Sequence, residues 1–216
     1  MESKDPMNPR ELLILGGGGH AAVVCESASL QGWNVIGFLD DAHTATLPCP
    51  NVKHQGSLTN PSDTVRQMIR NGAAIHAAAG SVELRRSWYA RYTDAHMATV
   101  IHPSAAISSS ASIAQGVFVG PNAVINARAK VGQATIINSA SVVEHDVAIG
   151  DYAHLAPGSI ATGEVHIADD VMVGAGAVIL PRLSISRSSV VGAGAVVVND
   201  VPEQSTVAGN PAIDID

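Results

Sequence analysis

Large aromatic side chains are scarce in this 216-residue chain, in which Phe, Tyr and Trp together make up 3%. Globular cores normally draw much of their volume from these residues, so the interior here has to be filled by something smaller. Basic residues are also few: 12 Lys and Arg stand against 19 Asp and Glu, giving a net charge of −7. That leaves no basic stripe for a nucleic-acid binder. No apolar run is long enough for a membrane span, and the first ten residues, MESKDPMNPR, lack the apolar segment of a signal peptide. The only two cysteines, Cys25 and Cys49, do not make a disulfide framework. These absences lead us to expect a soluble cytoplasmic protein.

What is present is a rhythm. From Ile101 to Val197 every sixth residue is Ile, Leu or Val, with Ala161 the exception. The position two residues earlier is often small, as at Ala111, Ala123, Ala129, Ser141, Ala153, Ser159, Ala177, Ser189 and Ala195. Glycine often follows directly, at Gly120, Gly132, Gly150, Gly174 and Gly192. Neither an α-helix nor a flat sheet repeats every six residues, but a β-helix does. Each short strand sends one aliphatic side chain inward, and a tight turn follows. Small residues are expected at the crowded corners, and glycine is expected to serve the turn backbone.

Residues 1–99 follow a different grammar. ELLIL (11–15) reads as a buried strand, GGGGH (16–20) as a tight turn, and 21–33 as a helix closing at Gly32. NVIGFLDD (34–41) reads as a strand ending in two acids, and 60–72 as a helix between Asn-Pro-Ser and Asn-Gly. Residues 73–80 read as a third strand and 81–95 as a helix with Arg85, Arg86 and Arg91 outside. Gly16, Gly18 and Ala21 approximate a dinucleotide fingerprint, with Asp40 about two dozen residues on. About 100 residues is half of a full dinucleotide fold, so one nucleotide or phosphate fits better. Backbone N–H groups at the helix start would receive the anion, and the strand-end carboxylate would accept from ribose or base.

The hexad pattern resembles the hexapeptide-repeat acyltransferases, whose fold is a left-handed parallel β-helix with three hexads per coil. The tail VPEQSTVAGNPA (201–212) is similar to their closing segment. Together with Gly-Gly-Gly-Gly-His, Phe-Leu-Asp-Asp and Val-Val-Glu-His-Asp, the chain resembles the bacterial nucleotide-amino-sugar N-acetyltransferases, relatives of the sialic-acid O-acetyltransferases. The resemblance implies a Rossmann-like domain over residues 1–99 that binds a nucleotide sugar. It also implies a left-handed β-helix over 100–216 that transfers acetyl from acetyl-CoA to the 4-amino group of a UDP-, dTDP- or GDP-linked amino-deoxysugar. His145 would be the general base and Asp146 the acid that tunes it. Gly18, Gly19, His20, Asp40, Asp41, Gly56 and Asn138 would contact the sugar nucleotide. His154, Gly163, Ala175 and Ala193 would contact the coenzyme. The family is trimeric, with sites between neighbouring subunits, and a homotrimer is expected here too. His145 and His154 lie nine residues apart, half a coil, so they should not share a face of one subunit. Two other readings remain at this point: O-acetylation of a sialic acid, or a non-enzymatic nucleotide-sugar-binding trimer. A zinc site of the γ-carbonic anhydrase type is not expected, because no two histidines of the repeat are five residues apart.

Overall fold

The computed structural model describes residues 10–215; the polar stretch 1–9, used above to argue against a leader, lies outside them. The chain divides after Val100 into two compact units. No helix among the described residues is long and apolar enough to cross a membrane.

The N-terminal unit is a three-stranded parallel sheet of β1 (Glu11–Leu15), β2 (Asn34–Leu39) and β3 (Ala74–Ala77), in the order β2-β1-β3. Leu12 to Leu15 in the central strand are fully buried, as expected for a parallel strand covered on both faces. Helix α1 (Gly19–Gln31) follows the glycine run and stops at Gly32, whose φ of 93° only glycine adopts readily. Helix α2 (Asp63–Arg70) starts at Ser62, whose hydroxyl accepts the Val65 N–H, and α3 (Val82–Arg91) starts at Ser81, which caps Leu84 in the same way. Two expectations are corrected. Arg85 is not outside: it is 1% exposed, and its guanidinium donates to the carbonyls of Ala79 and Gly80. A buried cation was not legible because the carbonyls that receive it belong to the turn after β3. Cys25 and Cys49 are joined as a disulfide across 24 residues, their Cα atoms 6.5 Å apart. The bond ties loop 42–60 to α1, a proximity that only the chain path creates.

From β4 (Val100–Ile101) to β20 (Val196–Val197), two-residue strands recur every six residues. They stack into three parallel sheets, one per face of a β-helix. The first face includes β10 (Ile136–Ile137) and β13 (His154–Leu155), the second β11 (Val142–Val143) and β14 (Ile160–Ala161), and the third β12 (Ala148–Ile149) and β15 (His166–Ile167). Each residue pairs with the one 18 positions on, as Ile136 does with His154. The second residue of each strand points inward, and Val119, Ile125, Ile137, Val143, Leu155 and Val173 form part of one continuous core. Of the small residues before the strands, Ala123, Ala129, Ser141, Ala153, Ser159, Ala177, Ser189 and Ala195 are buried, while Ala111 is half-buried. Ser141 is accommodated there because its hydroxyl donates to the Ala156 carbonyl at 2.9 Å.

The glycine expectation is corrected. Left-handed backbone does recur every sixth residue from Gly116 to Gly194, but ten of those residues are not glycine, among them Asn122, Arg128, Asp146, Tyr152 and Arg182. Gly120, Gly132, Gly150, Gly174 and Gly192 are absent from that set. They are small because the neighbouring coil approaches closely: a Cβ on Gly120 would lie 2.8 Å from the Ser139 backbone nitrogen. After β20 the chain returns as β21 (Thr206–Gly209), parallel to β19 (Val190–Val191), and folds back as β22 (Ala212–Asp214), closing the first sheet at its open edge.

His76, in the middle of β3, is 1% exposed, and its Nδ1 lies 2.9 Å from the Ala98 carbonyl. Burial pushes its pKa down to about 4. The unfolded chain therefore binds a proton that the folded chain refuses, and stability falls as pH drops from 6.5 toward 4. Denaturant unfolding followed by Trp33 and Trp88, the only tryptophans and both in the N-terminal unit, should show a loss of about 2 kcal/mol between pH 7 and pH 5. That component should disappear in His76→Gln.

Candidate active site

In the N-terminal unit the glycine turn is held from below. A Cβ on Gly17 would lie 2.8 Å from Phe38 and Ala45. The Gly17 N–H donates to Asp40 Oδ2 at 2.6 Å, and the other Asp40 oxygen accepts the Ala42 N–H at 2.7 Å. Gly18 and Gly19 face open space, and the N-cap of α1, Gly18, gives the helix no side-chain cap. A helix start with small residues and no side-chain cap leaves its N–H groups accessible to an anion. His20 sits in the first turn, half-buried. Asp41 turns toward the loop, accepting from Ser57 Oγ, Thr59 Oγ1 and the Thr59 N–H. The Ser57 hydroxyl first, then Thr59, holds its pKa down at about 2. The Gly56 carbonyl accepts the Asp40 N–H at 3.1 Å. Asp40, Asp41 and Gly56 thus brace the glycine turn and its flanking loop through hydrogen bonds within the protein.

In the β-helix, His145 and Asp146 occupy the corner between the second and third faces, just after β11. Asp146 has the left-handed φ of 61°, which Asp tolerates better than most residues. His145 Nδ1 lies 2.9 Å from Asp146 Oδ2. With an ionised carboxylate as its partner, Nδ1 is the donor of this hydrogen bond. The ring lies over Gly163, one coil on, where a Cβ would come within 2.7 Å of both Cε1 and Nε2. Gly163, expected at the coenzyme, is therefore the floor beneath the imidazole. Glu144 Oε2 accepts the His145 backbone N–H at 3.4 Å.

Sequence reasoning missed the second partner of Asp146. Arg128 forks onto it, Nε to Oδ1 and Nη2 to Oδ2, both at 2.6 Å. Arg128, then His145, hold the Asp146 carboxyl well below the usual carboxylate range. The 18-residue coil could have revealed it: stepping back one coil from His145 gives Ala127, and the same step from Asp146 gives Arg128. The Asp146 corner also borders a depression of about 420 Å³ lined by Ser110, Arg128 and Lys130.

The remaining candidates lie elsewhere. His154, 9% exposed, is on the first face, with Asn138 Nδ2 at 3.2 Å from its Nε2. The Asn138 Oδ1 accepts the Ser139 N–H at 2.8 Å, which fixes the amide and makes His154 Nε2 an acceptor. The two residues expected to contact different ligands are thus direct partners. Ala175 and Ala193 are exposed at the corner between the first and second faces, beside Gly158, Gly176 and Gly194, all with left-handed φ. That corner carries almost no side chains. His145 with Gly163, and Ala175 with Ala193, therefore flank opposite edges of the second face. His166 is exposed on the third face.

The family model of the PglD N-terminal domain matches residues 11–92, and that of the GMPPB C-terminal domain matches residues 96–193. No curated protein matches the chain at a significant level. Among solved structures, perosamine N-acetyltransferase from Caulobacter crescentus, a His-to-Asn variant in complex with CoA and GDP-perosamine, is 34% identical. That match covers 95% of this chain and 97% of the other, with a TM-score of 0.87. The acetyltransferase domain of PglB from Neisseria gonorrhoeae, in complex with acetyl coenzyme A, is 30% identical over 96% of this chain and 100% of the other, at 0.88. WeeI from Acinetobacter baumannii is 27% identical over 94% and 99%, at 0.80. Identity of this level over nearly the whole length, spanning both units, places the chain in the family of nucleotide-amino-sugar N-acetyltransferases built on a Rossmann-like domain and a left-handed parallel β-helix.

Proposed function

We propose that this chain transfers the acetyl group of acetyl-CoA to the 4-amino group of a nucleotide-linked amino-deoxysugar, with His145 as general base. The observation that carries this reading is the His145–Asp146 contact at 2.9 Å, which leaves Nε2 of an imidazole 53% exposed in its side chain able to take a proton. The sugar amine attacks the thioester carbonyl carbon, and a C–N bond forms. The adduct nitrogen is then cationic, and His145 Nε2 accepts its proton. The C–S bond breaks, and the imidazolium returns the proton to the departing thiolate. Asp146 stabilises the transient imidazolium and holds its tautomer.

The nucleotide is assigned to the N-terminal unit, over residues 1–99, and acetyl transfer to residues 100–216. Gly18, Gly19 and His20 at the start of α1 receive the phosphates, on the turn that Asp40 pins. Ala175 and Ala193 let the coenzyme lie close to the coils, and Asn138 and His154 act beside it. Acetyl-CoA supply sets the reaction in the cytoplasm.

A homotrimer completes the site. The outward residues of the second face are Val124, Val142, Ile160, Val178 and Val196, all half-buried. Their counterparts on the third face are Ser112, Lys130, Ala148, His166 and Ser184. Five coils at about 4.8 Å make an apolar stripe roughly 20 Å long, which association would cover. Packing second faces about a threefold axis would bring the His145 corner of one copy toward the small-residue corner of the next.

His145→Ala should lower kcat by about a hundredfold to ten-thousandfold, with the KM for acetyl-CoA little changed; steady-state kinetics with thiol detection measures both. Asp40→Ala should release the Gly17 N–H and weaken nucleotide-sugar binding while sparing acetyl-CoA binding, as read by calorimetry for each ligand. Light scattering at micromolar concentration should give three times the mass of one chain, and a monomer would count against the shared site.

A further inference from the structure

The corner that carries Asp146 is a column of charges, one residue per coil: Arg128, Asp146, Glu164 and Arg182. Adjacent coils lie about 4.8 Å apart, so the two acids are stacked neighbours. Each has an arginine on its outer side. Arg182 Nε reaches Glu164 Oε1 at 3.5 Å, a single long contact between exposed side chains. The Arg128–Asp146 pair is different: two parallel bonds of 2.6 Å on the carboxylate that also receives His145. A guanidinium fork fixes the plane of the carboxylate it grips, which an ammonium cannot do. The Arg128 backbone is itself held, its N–H donating to Ser110 Oγ at 3.1 Å.

We propose that Arg128 is a positioning residue for the general base, acting through Asp146: its fork fixes the plane of the carboxylate against His145 Nδ1 and offsets part of that carboxylate's charge. This inference rests on the reading of His145 as the base. A carboxylate bound to imidazole alone raises the imidazole pKa and fills the lone pair that the reaction needs. A carboxylate shared with a cation orients the ring with less of that effect.

The charged groups around His145 define the balance. Glu144 and Asp146 flank it in sequence, Arg128 faces it from the coil before, and Glu164, whose N–H donates to the His145 carbonyl, from the coil after. Arg182 lies one coil further. Three carboxylates thus stand against two guanidiniums, with the Lys130 ammonium bordering the same depression as Arg128 and Asp146. Removing Arg128 takes away the one cation in direct contact with Asp146 and leaves that carboxylate beside Glu164.

The test is the pH profile of kcat/KM for the wild type and for Arg128→Ala, Arg128→Lys and His145→Ala. Arg128 is exposed, with 65% of its side chain accessible, so these variants should fold. In Arg128→Ala the acidic limb should move up by about 0.5–1 pH unit, and the plateau rate should fall with the KM for acetyl-CoA unchanged. Arg128→Lys should return the limb toward its original position, because the charge is restored, while leaving the plateau low, because the fork is not. In an Asp146→Asn background, Arg128→Ala should add no further shift. An unmoved limb in Arg128→Ala, with His145→Ala inactive, overturns this proposal and leaves the base assignment standing. An additive shift in the Asp146→Asn background overturns it as well, since Arg128 would then act independently of Asp146. An active His145→Ala enzyme removes the base assignment and this inference with it.

Discussion

The structure of the C-terminal unit depends on one constraint: each coil must stack on the next in strict 18-residue register. Two-residue strands cannot hold a sheet alone. They persist because each backbone pairs above and below and each inward aliphatic meets its equivalents along the axis, as Val143 does between Ile125 and Ala161. A shift of one residue would turn the whole inward column outward. The scarcity of aromatics follows, because a narrow interior shared by three walls accepts Val and Ile more easily than large rings.

The same constraint brings chemistry to the corners. Every sixth residue is forced into left-handed backbone, and stacked corners bring residues 18 apart into contact. That is how Arg128, Asp146 and Glu164 come to share one edge, and how Gly163 comes to lie beneath His145. The imidazole of His145 is thus held by a rigid frame rather than a flexible loop, as the proposed role of general base requires. The corner of Ala175, Gly176, Ala193 and Gly194 uses the same geometry with the opposite result, presenting bare backbone in place of stacked side chains.

The N-terminal unit solves a different problem. Its glycine turn must be open on one side and fixed on the other. Gly18 and Gly19 supply the open side, while Asp40, through the Gly17 N–H, and Gly56, through the Asp40 N–H, supply the fixed side. The two acids that follow β2 thus hold this turn and its flanking loop.

The sequence by itself determined the period, and with it the β-helix, the inward column and the corner position of His145, because a one-dimensional repeat maps directly onto a one-dimensional stack. It also determined β1, the glycine turn and the helix punctuation, where local residue chemistry decides local backbone. Tertiary structure alone decided which groups meet across coils or across the open sheet: Arg128 on Asp146, Asn138 on His154, the burial of Arg85 and the proximity of Cys25 to Cys49. It also separated the reasons for two kinds of small residue. Gly120 and Gly150 are small because a neighbouring coil leaves no room, while many of the left-handed turns are made by Asn, Asp, Arg and Ser. A sequence records that a position is small; only the packed neighbour records whether space or backbone angle required it.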